Sequence, residues 1–151
     1  MNLTGAIIPY KGIEGIDLYQ SISVVRQYLS AHGLKFREEV WGSSSETVPN
    51  PWTVLVLDDV MSLFFASNDK LFKIVLWKGY QGMLPNGIYP GIPLDEARTI
   101  DPLLSYDDWN EDYESPEGYW LEDDIDSKDV MSISIFIPEL HDEASFDDCN
   151  W

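Results

Sequence analysis

The chain has 151 residues, with 27 acidic against 9 basic side chains, a formal net charge of −18, 44% hydrophobic and 13% aromatic content. That hydrophobic content excludes a disordered chain, and the charge argues against nucleic acid or an anionic membrane surface as partner, since both would repel it. No apolar run approaches the roughly 20 residues of a bilayer-spanning helix, and the single cysteine, Cys149, excludes an internal disulfide or a cysteine zinc cluster.

One domain over 1–151 is expected at this length. Met1 to Pro9 lack a basic segment and a long apolar core, so no signal peptide is expected and a cytoplasmic home is. A helix is predicted from about Ser21 to His32: Ile22, Val25 and Leu29 fall on one stripe that Val24 and Tyr28 widen. Ser21 caps its start and Gly33 suits a left-handed stop. Lys35–Trp41 reads as a strand, and Ser43–Ser45 with Pro49-Asn-Pro51 as a loop. Three strands follow over 52–57, 61–66 and 71–77, with turns at Asp58-Asp59 and Ser67–Lys70. Strict alternation in the last puts Leu71, Lys73, Val75 and Trp77 on one face, and Phe72, Ile74 and Leu76 on the other.

The stretch 79–92 is rich in Gly and Pro and reads as a linker or ordered loop. A short helix is expected near Pro93, with Asp95 and Glu96 in its first turn and Pro102 ending it. A second is expected from Ser105, where Ser105 and Asp108 resemble a capping box and Tyr106, Trp109 and Tyr113 share a helical face. Strands over about 118–123 and 130–137 close the chain, and the acidic tail from His141 is expected to fray. The fold class is therefore α+β, an antiparallel sheet with helices packed on one face. Two similar helix-plus-hairpin halves, 1–79 and 80–140, are one reading of the pattern; the frequency of that motif in α+β domains is the other.

Charge divides the same halves. Residues 1–79 hold 8 acidic and 7 basic side chains, whereas 80–151 hold 19 acidic and only Arg98 and Lys128 as basic ones. Catalytic signatures do not compete with this feature. His32 closes a predicted helix, His141 lies in the tail, and neither neighbours a nucleophile motif. Glu122–Asp126 and Asp147-Asp148 offer oxygens to a divalent ion, but an EF-hand counted from Asp124 has Asp129 where glycine is needed and Ile135 where glutamate is needed. Gly12-Ile-Glu-Gly15 and Gly87–Gly91 lack the lysine and frame of a phosphate loop. No enzyme, cofactor or metal centre is expected.

Tyr106 to Asp126 interleaves aromatics with acids, the composition of an interface with anchors inside a charged rim. The candidate partner-binding residues are Asp107, Asp108, Trp109, Glu111, Asp112, Tyr113, Glu114, Tyr119, Glu122, Asp123, Asp124 and Asp126. Trp109 and Trp120 fit equally a core lying under a solvated acidic surface. With Gly87-Ile-Tyr89, Leu94–Ala97, Ser105–Trp109 and Gly118–Asp124, the chain resembles bacterial immunity proteins that protect against contact-dependent growth inhibition toxins, most clearly over about 85–137. That class is diverse in fold, and no set of binding residues carries over. The resemblance implies a partner: a cognate toxin domain, basic and often a nuclease, blocked at its active site or nucleic-acid groove. An adaptor or scaffold without a toxin partner, acidic only for solubility, is the alternative.

Overall fold

The structure is a computed structural model that describes residues 5–41 and 51–151. The loop expected over Ser43–Ser45 and Pro49-Asn50 lies outside them. The two-residue strands β1 (Gly12–Ile13) and β2 (Ile16–Asp17) pair with each other and precede helix α1 (Ile22–Ala31). Strands β3 (Arg37–Trp41), β4 (Trp52–Leu57), β5 (Met61–Phe65) and β6 (Leu71–Trp77) follow. Helix α2 (Leu94–Ile100) then leads into β7 (Ser105–Asp107), β8 (Asp112–Ser115), β9 (Tyr119–Asp123) and β10 (Val130–Phe136). A 3-10 turn (Pro138–His141) and helix α3 (Glu143–Asp147) end the chain. The fold is mixed α+β, and its eight larger strands form one antiparallel sheet ordered β3-β4-β5-β6-β10-β9-β8-β7.

Helix α1 follows its residues closely. The Ser21 side chain accepts the Val24 N–H, and Ile22, Val25 and Leu29 are buried. Gly33, at φ +68°, supplies the left-handed stop. Val24 is exposed instead of widening the apolar stripe. On the sheet, Leu55, Leu63, Ile74, Leu76, Leu121, Ile133 and Ile135 are buried in one cluster with Ile7, Ile16, Leu84, Ile88 and Ala97.

Three expectations are corrected. Strict alternation fails in β6 because Leu71 pairs with Phe65 and Lys73 with Phe64, which makes Phe72 an extra residue in the ladder. Such a bulge resets the alternation. Phe72 and Lys73 both approach Phe64, at 6.2 Å between rings and 5.2 Å from Nζ to the ring. The acidic tail is docked, not frayed: Phe146 packs on Phe72 (4.8 Å) and stacks on Trp151 (5.7 Å), whose carbonyl oxygen accepts Lys70 Nζ at 2.9 Å. The helix expected from Ser105 is the hairpin of β7 and β8.

The two halves share a hydrogen-bonding frame. Ser21 bridges Lys70 just before β6, and Pro93 bridges Asp129 just before β10. Leu71 exchanges backbone bonds with Tyr19 and Gln20, and Val130 exchanges them with Gly91 and Ile92. The Ile22 N–H donates to Asp69 O and the Leu94 N–H to Lys128 O. Tyr19 and Gly91 both have positive φ, as do Asp69 and Lys128. On this correspondence Val75 matches Ser134, and the two pair directly where β6 meets β10. The neutral and acidic halves of the sequence thus become neighbouring halves of one sheet.

Candidate functional site

The chain reverses after β7 through one helical turn, closed by Glu111 N–H donating to Asp107 O at 2.8 Å. The Asp107 carboxylate accepts the N–H groups of Trp109 (2.8 Å) and Asn110 (3.2 Å), which holds it below the usual carboxylate range. Glu111, at φ +56°, then turns the chain into β8. Asp107, and not Ser105, caps this turn. Trp109 projects from its tip, 93% exposed.

Strand register sorts the predicted site residues into groups. Asp107 pairs with Asp112, and Glu114, two residues on, shares their face. Glu114 in turn pairs with Trp120, which puts Glu122 on that face as well. Tyr113 points to the other face, where it meets Tyr106 at 5.0 Å between rings and Arg98 at 5.5 Å. Asp123 shares that second face, because Tyr113 pairs with Leu121. Asp108 and Glu111 flank Trp109 in the turn. Asp124 and Asp126 lie in the turn between β9 and β10, where Asp124 accepts the N–H groups of Asp126 (2.9 Å) and Ser127 (3.3 Å) and pairs with Lys78 at 3.8 Å. Tyr119 is a correction: it is 1% exposed, its hydroxyl donates to the Asp101 carboxylate, and it belongs to the core.

The acidic face continues into an aromatic one. Trp120 lies 4.1 Å from Phe136, between rings, and 5.6 Å from Lys73 Nζ. A pocket of about 370 Å³ opens there, lined by Trp52, Lys73, Asn110, Glu114, Trp120 and His141 among others. Burial pulls the Lys73 ammonium below its ordinary pKa, opposed by the charges of Glu122 and Asp112. His141 is fixed by Tyr10 at 3.1 Å and by the Phe136 ring, and His32 by the Tyr28 carbonyl at 2.9 Å. Among the described residues neither histidine hydrogen-bonds one of the acids, although His141 and Glu114 line the same pocket. Lys73, Asn110 and the buried Asp101 stand out only in three dimensions. The period-two spacing of Asp112 and Glu114 was the available signal for the acidic face, masked by the helical spacing of the aromatics around it.

Asp112 is the most perturbed carboxyl of the cluster. It is raised from 3.8 to about 7, by burial first, then by a bond shared with Glu114 and by the charges of Glu114, Asp107 and Glu122. A carboxyl whose pKa rises on folding binds its proton more tightly in the native state. Its stabilising contribution is full below its unfolded pKa and is lost as pH rises through about 7. Asp112→Asn is therefore expected to match the wild type at acid pH. Above neutrality it should be more stable by about 1–2 kcal/mol, a figure discounted because Asp107 and Glu114 reach solvent. Urea denaturation in chelator at about pH 4 and again above pH 7 checks this, and an unchanged difference between the two would refute it.

Compared with known proteins, the chain matches no family model, no curated protein sequence and no solved structure. Among the described residues no helix is long and apolar enough to cross a membrane. The site itself carries the functional reading.

Proposed function

We propose that this chain is an acidic binding protein of the immunity class, acting in the cytoplasm to neutralise a basic toxin domain. The observation that carries the reading is Trp109, fully presented on a hairpin tip between Asp107, Asp108 and Glu111, within the half that holds 19 acidic and 2 basic residues. An aromatic anchor inside a ring of like charges suits a partner whose pocket is rimmed by arginine and lysine. Carboxylates of such a surface stand where the phosphates of a nuclease substrate would lie, and pair with guanidinium groups in the same bidentate manner. The field speeds capture, toward about 10⁸–10⁹ M⁻¹s⁻¹ at low salt. Helices α1 and α2 in this reading back one face of the sheet, and the aromatic and acidic face and the hairpin tip are left to the partner. The protein inhibits by occupancy and performs no reaction of its own.

The test begins with the chain as bait in extract of its native host, at low and then high salt. The recovered partner is purified and assayed for inhibition by equimolar chain. The expected result is a basic domain whose toxic activity is blocked and whose affinity falls as salt rises. Reversing Asp108 and Glu111 to lysine should cost at least about tenfold in association rate while the fold melts unchanged. A complex indifferent to salt and to these reversals, or a partner with no activity to inhibit, would overturn the reading in favour of an adaptor.

A further inference from the structure

We propose that Asp107, Asp112 and Glu114 form a binding site for a hard divalent cation, calcium by preference, on the acidic face of the β7–β8 hairpin. Oxygens of the three carboxylates lie within 4.8 Å of one another. That proximity alone would describe any acidic cluster. Independently, Asp112 is only 6% exposed and its Oδ1 has no hydrogen-bond partner, a buried carboxyl oxygen left open on the face it shares with the other two. Buried polar atoms are normally satisfied, and an orphaned one needs a ligand or a reason. No Lys or Arg forms an ion pair with Asp107, Asp112 or Glu114 among the described residues.

The other half of the sheet shows that the frame does not need Asp112 and Glu114. Asp112 pairs with Asp107 as Val54 pairs with Glu39, and Glu114 pairs with Trp120 as Val56 pairs with Ser62. Valine therefore fills the matching positions in the first half, on the same face and at the same depth in the sheet. Two aspartates directly across a strand pair repel each other, and the adjoining Glu122 adds to the repulsion. The hairpin retains this arrangement where valine would serve, which is the kind of local conflict that marks a ligand site.

The donor set selects the ion. Carboxylate oxygens without His or Cys disfavour zinc and copper and suit calcium or magnesium. Calcium accepts irregular geometry and mixed protein and water ligands, whereas magnesium demands a near-ideal octahedron. Asn110 spans the cluster, its Nδ2 donating to Asp107 Oδ2 at 3.3 Å and Glu114 Oε2 at 3.4 Å. Turning its amide over presents an oxygen in place of that donor, a fourth protein ligand. The neighbouring pocket, lined in part by Asn110 and Glu114, has room for water. A bound cation would tie the two strands below Trp109 together, whatever partner that tip meets.

The test is calorimetric titration of the full chain with calcium chloride after removal of metals by chelator, at neutral pH and about 0.15 M salt to screen diffuse binding. One saturable site is expected, with a Kd of about 10⁻⁵–10⁻³ M, and with magnesium weaker. Asp112→Asn and Glu114→Gln should each weaken calcium at least tenfold. Asp95→Asn, an exposed acid on α2, should leave it unchanged. Circular dichroism verifies the folds, and should Asp112→Asn not fold, Glu114→Gln carries the comparison. Absence of saturable binding, or equal binding in all three variants, means an adventitious ion only and overturns the proposal.

Discussion

Asp101→Ala is expected to destabilise the protein by about 3 kcal/mol. Asp101 follows the end of α2 and is almost fully buried. Its carboxylate accepts Ser115 Oγ at 2.6 Å, the Tyr119 hydroxyl, and the Leu103 N–H at 3.1 Å. Tyr119 is held in turn by Asn86 Nδ2 at 3.1 Å, so one carboxylate joins α2, β8, β9 and the loop before α2. Burial pushes the Asp101 carboxyl upward, but these three donors outweigh it and hold the group below its ordinary 3.8. A depressed folded pKa stabilises above the unfolded value and loses that contribution as pH falls through the folded one. The deficit of Asp101→Ala should therefore be full at neutral pH and shrink below about pH 4, as the wild type approaches the variant. Tyr119→Phe, which removes one donor and leaves two, should cost about 1–2 kcal/mol. The double variant should cost less than the sum, because the two groups share one bond. Chemical denaturation at neutral and acid pH measures all of this. A deficit under about 0.5 kcal/mol for Asp101→Ala would mean the network is incidental to stability.

The elements with a single strong signal were legible in the sequence. The strands at 52–57, 71–77 and 130–136 are apolar runs bounded by turn residues, and α1 has a serine cap and a glycine stop; all lie within a residue or two of their expected bounds. The errors fall where two signals compete. Over 105–115 the aromatics Tyr106, Trp109 and Tyr113 keep helical spacing, yet Tyr106 and Tyr113 also face each other across a two-stranded ladder. Tertiary pairing with β9 decides between them, and a window of local sequence does not contain that partner. The internal match held the correction: α1 is followed by strand β3, and the same order after α2 demands a strand at Ser105. The bulge at Phe72 was invisible because alternation describes a regular ladder, and an inserted residue shows only in the register. Four acidic residues after His141, namely Asp142, Glu143, Asp147 and Asp148, suggest a frayed tail. Burial of Phe146 against Phe72 and Trp52 outweighs the local repulsion.

Of the predicted interface, the sequence conveyed composition but not orientation. Twelve candidate residues divide among a sheet face, its reverse, two turns and, for Tyr119, the core. Period-two geometry explains the division: neighbours in a strand point apart, so a contiguous acidic segment cannot present all its charge in one direction. The charge asymmetry itself survives folding, because the sheet order sets β3–β6 beside β10–β7 instead of interleaving them. In the acidic half the face positions matching Val54, Val56 and Phe64 carry Asp112, Glu114 and Glu122. One frame thus carries Val54, Val56 and Phe64 at one end of the sheet and three carboxylates in the matching positions at the other.

Trp109→Ala is expected to leave stability within about 0.5 kcal/mol of the wild type and to weaken the proposed partner complex by about 2–4 kcal/mol, a 30- to 1000-fold rise in Kd. The first half of this expectation follows from exposure, since a side chain 93% open to solvent buries almost nothing on folding. The second follows from how the turn presents it. Asp107 fixes the backbone of Trp109 and Asn110, and Asn110 reaches on to Glu114, so the indole is offered from a braced backbone. Bracing lowers the ordering cost of association. The surrounding acids should behave differently: neutralising Asp108 or Glu111 changes mainly the association rate and its salt dependence, whereas truncating the indole changes the dissociation rate. Kinetic measurement of both kinds of variant against the purified partner separates the two roles. Equal effects on association and dissociation from Trp109→Ala and Asp108→Asn would mean the tip is only one more point of a diffuse charged surface, and the anchor would have to be sought at Trp120 and the pocket beside it.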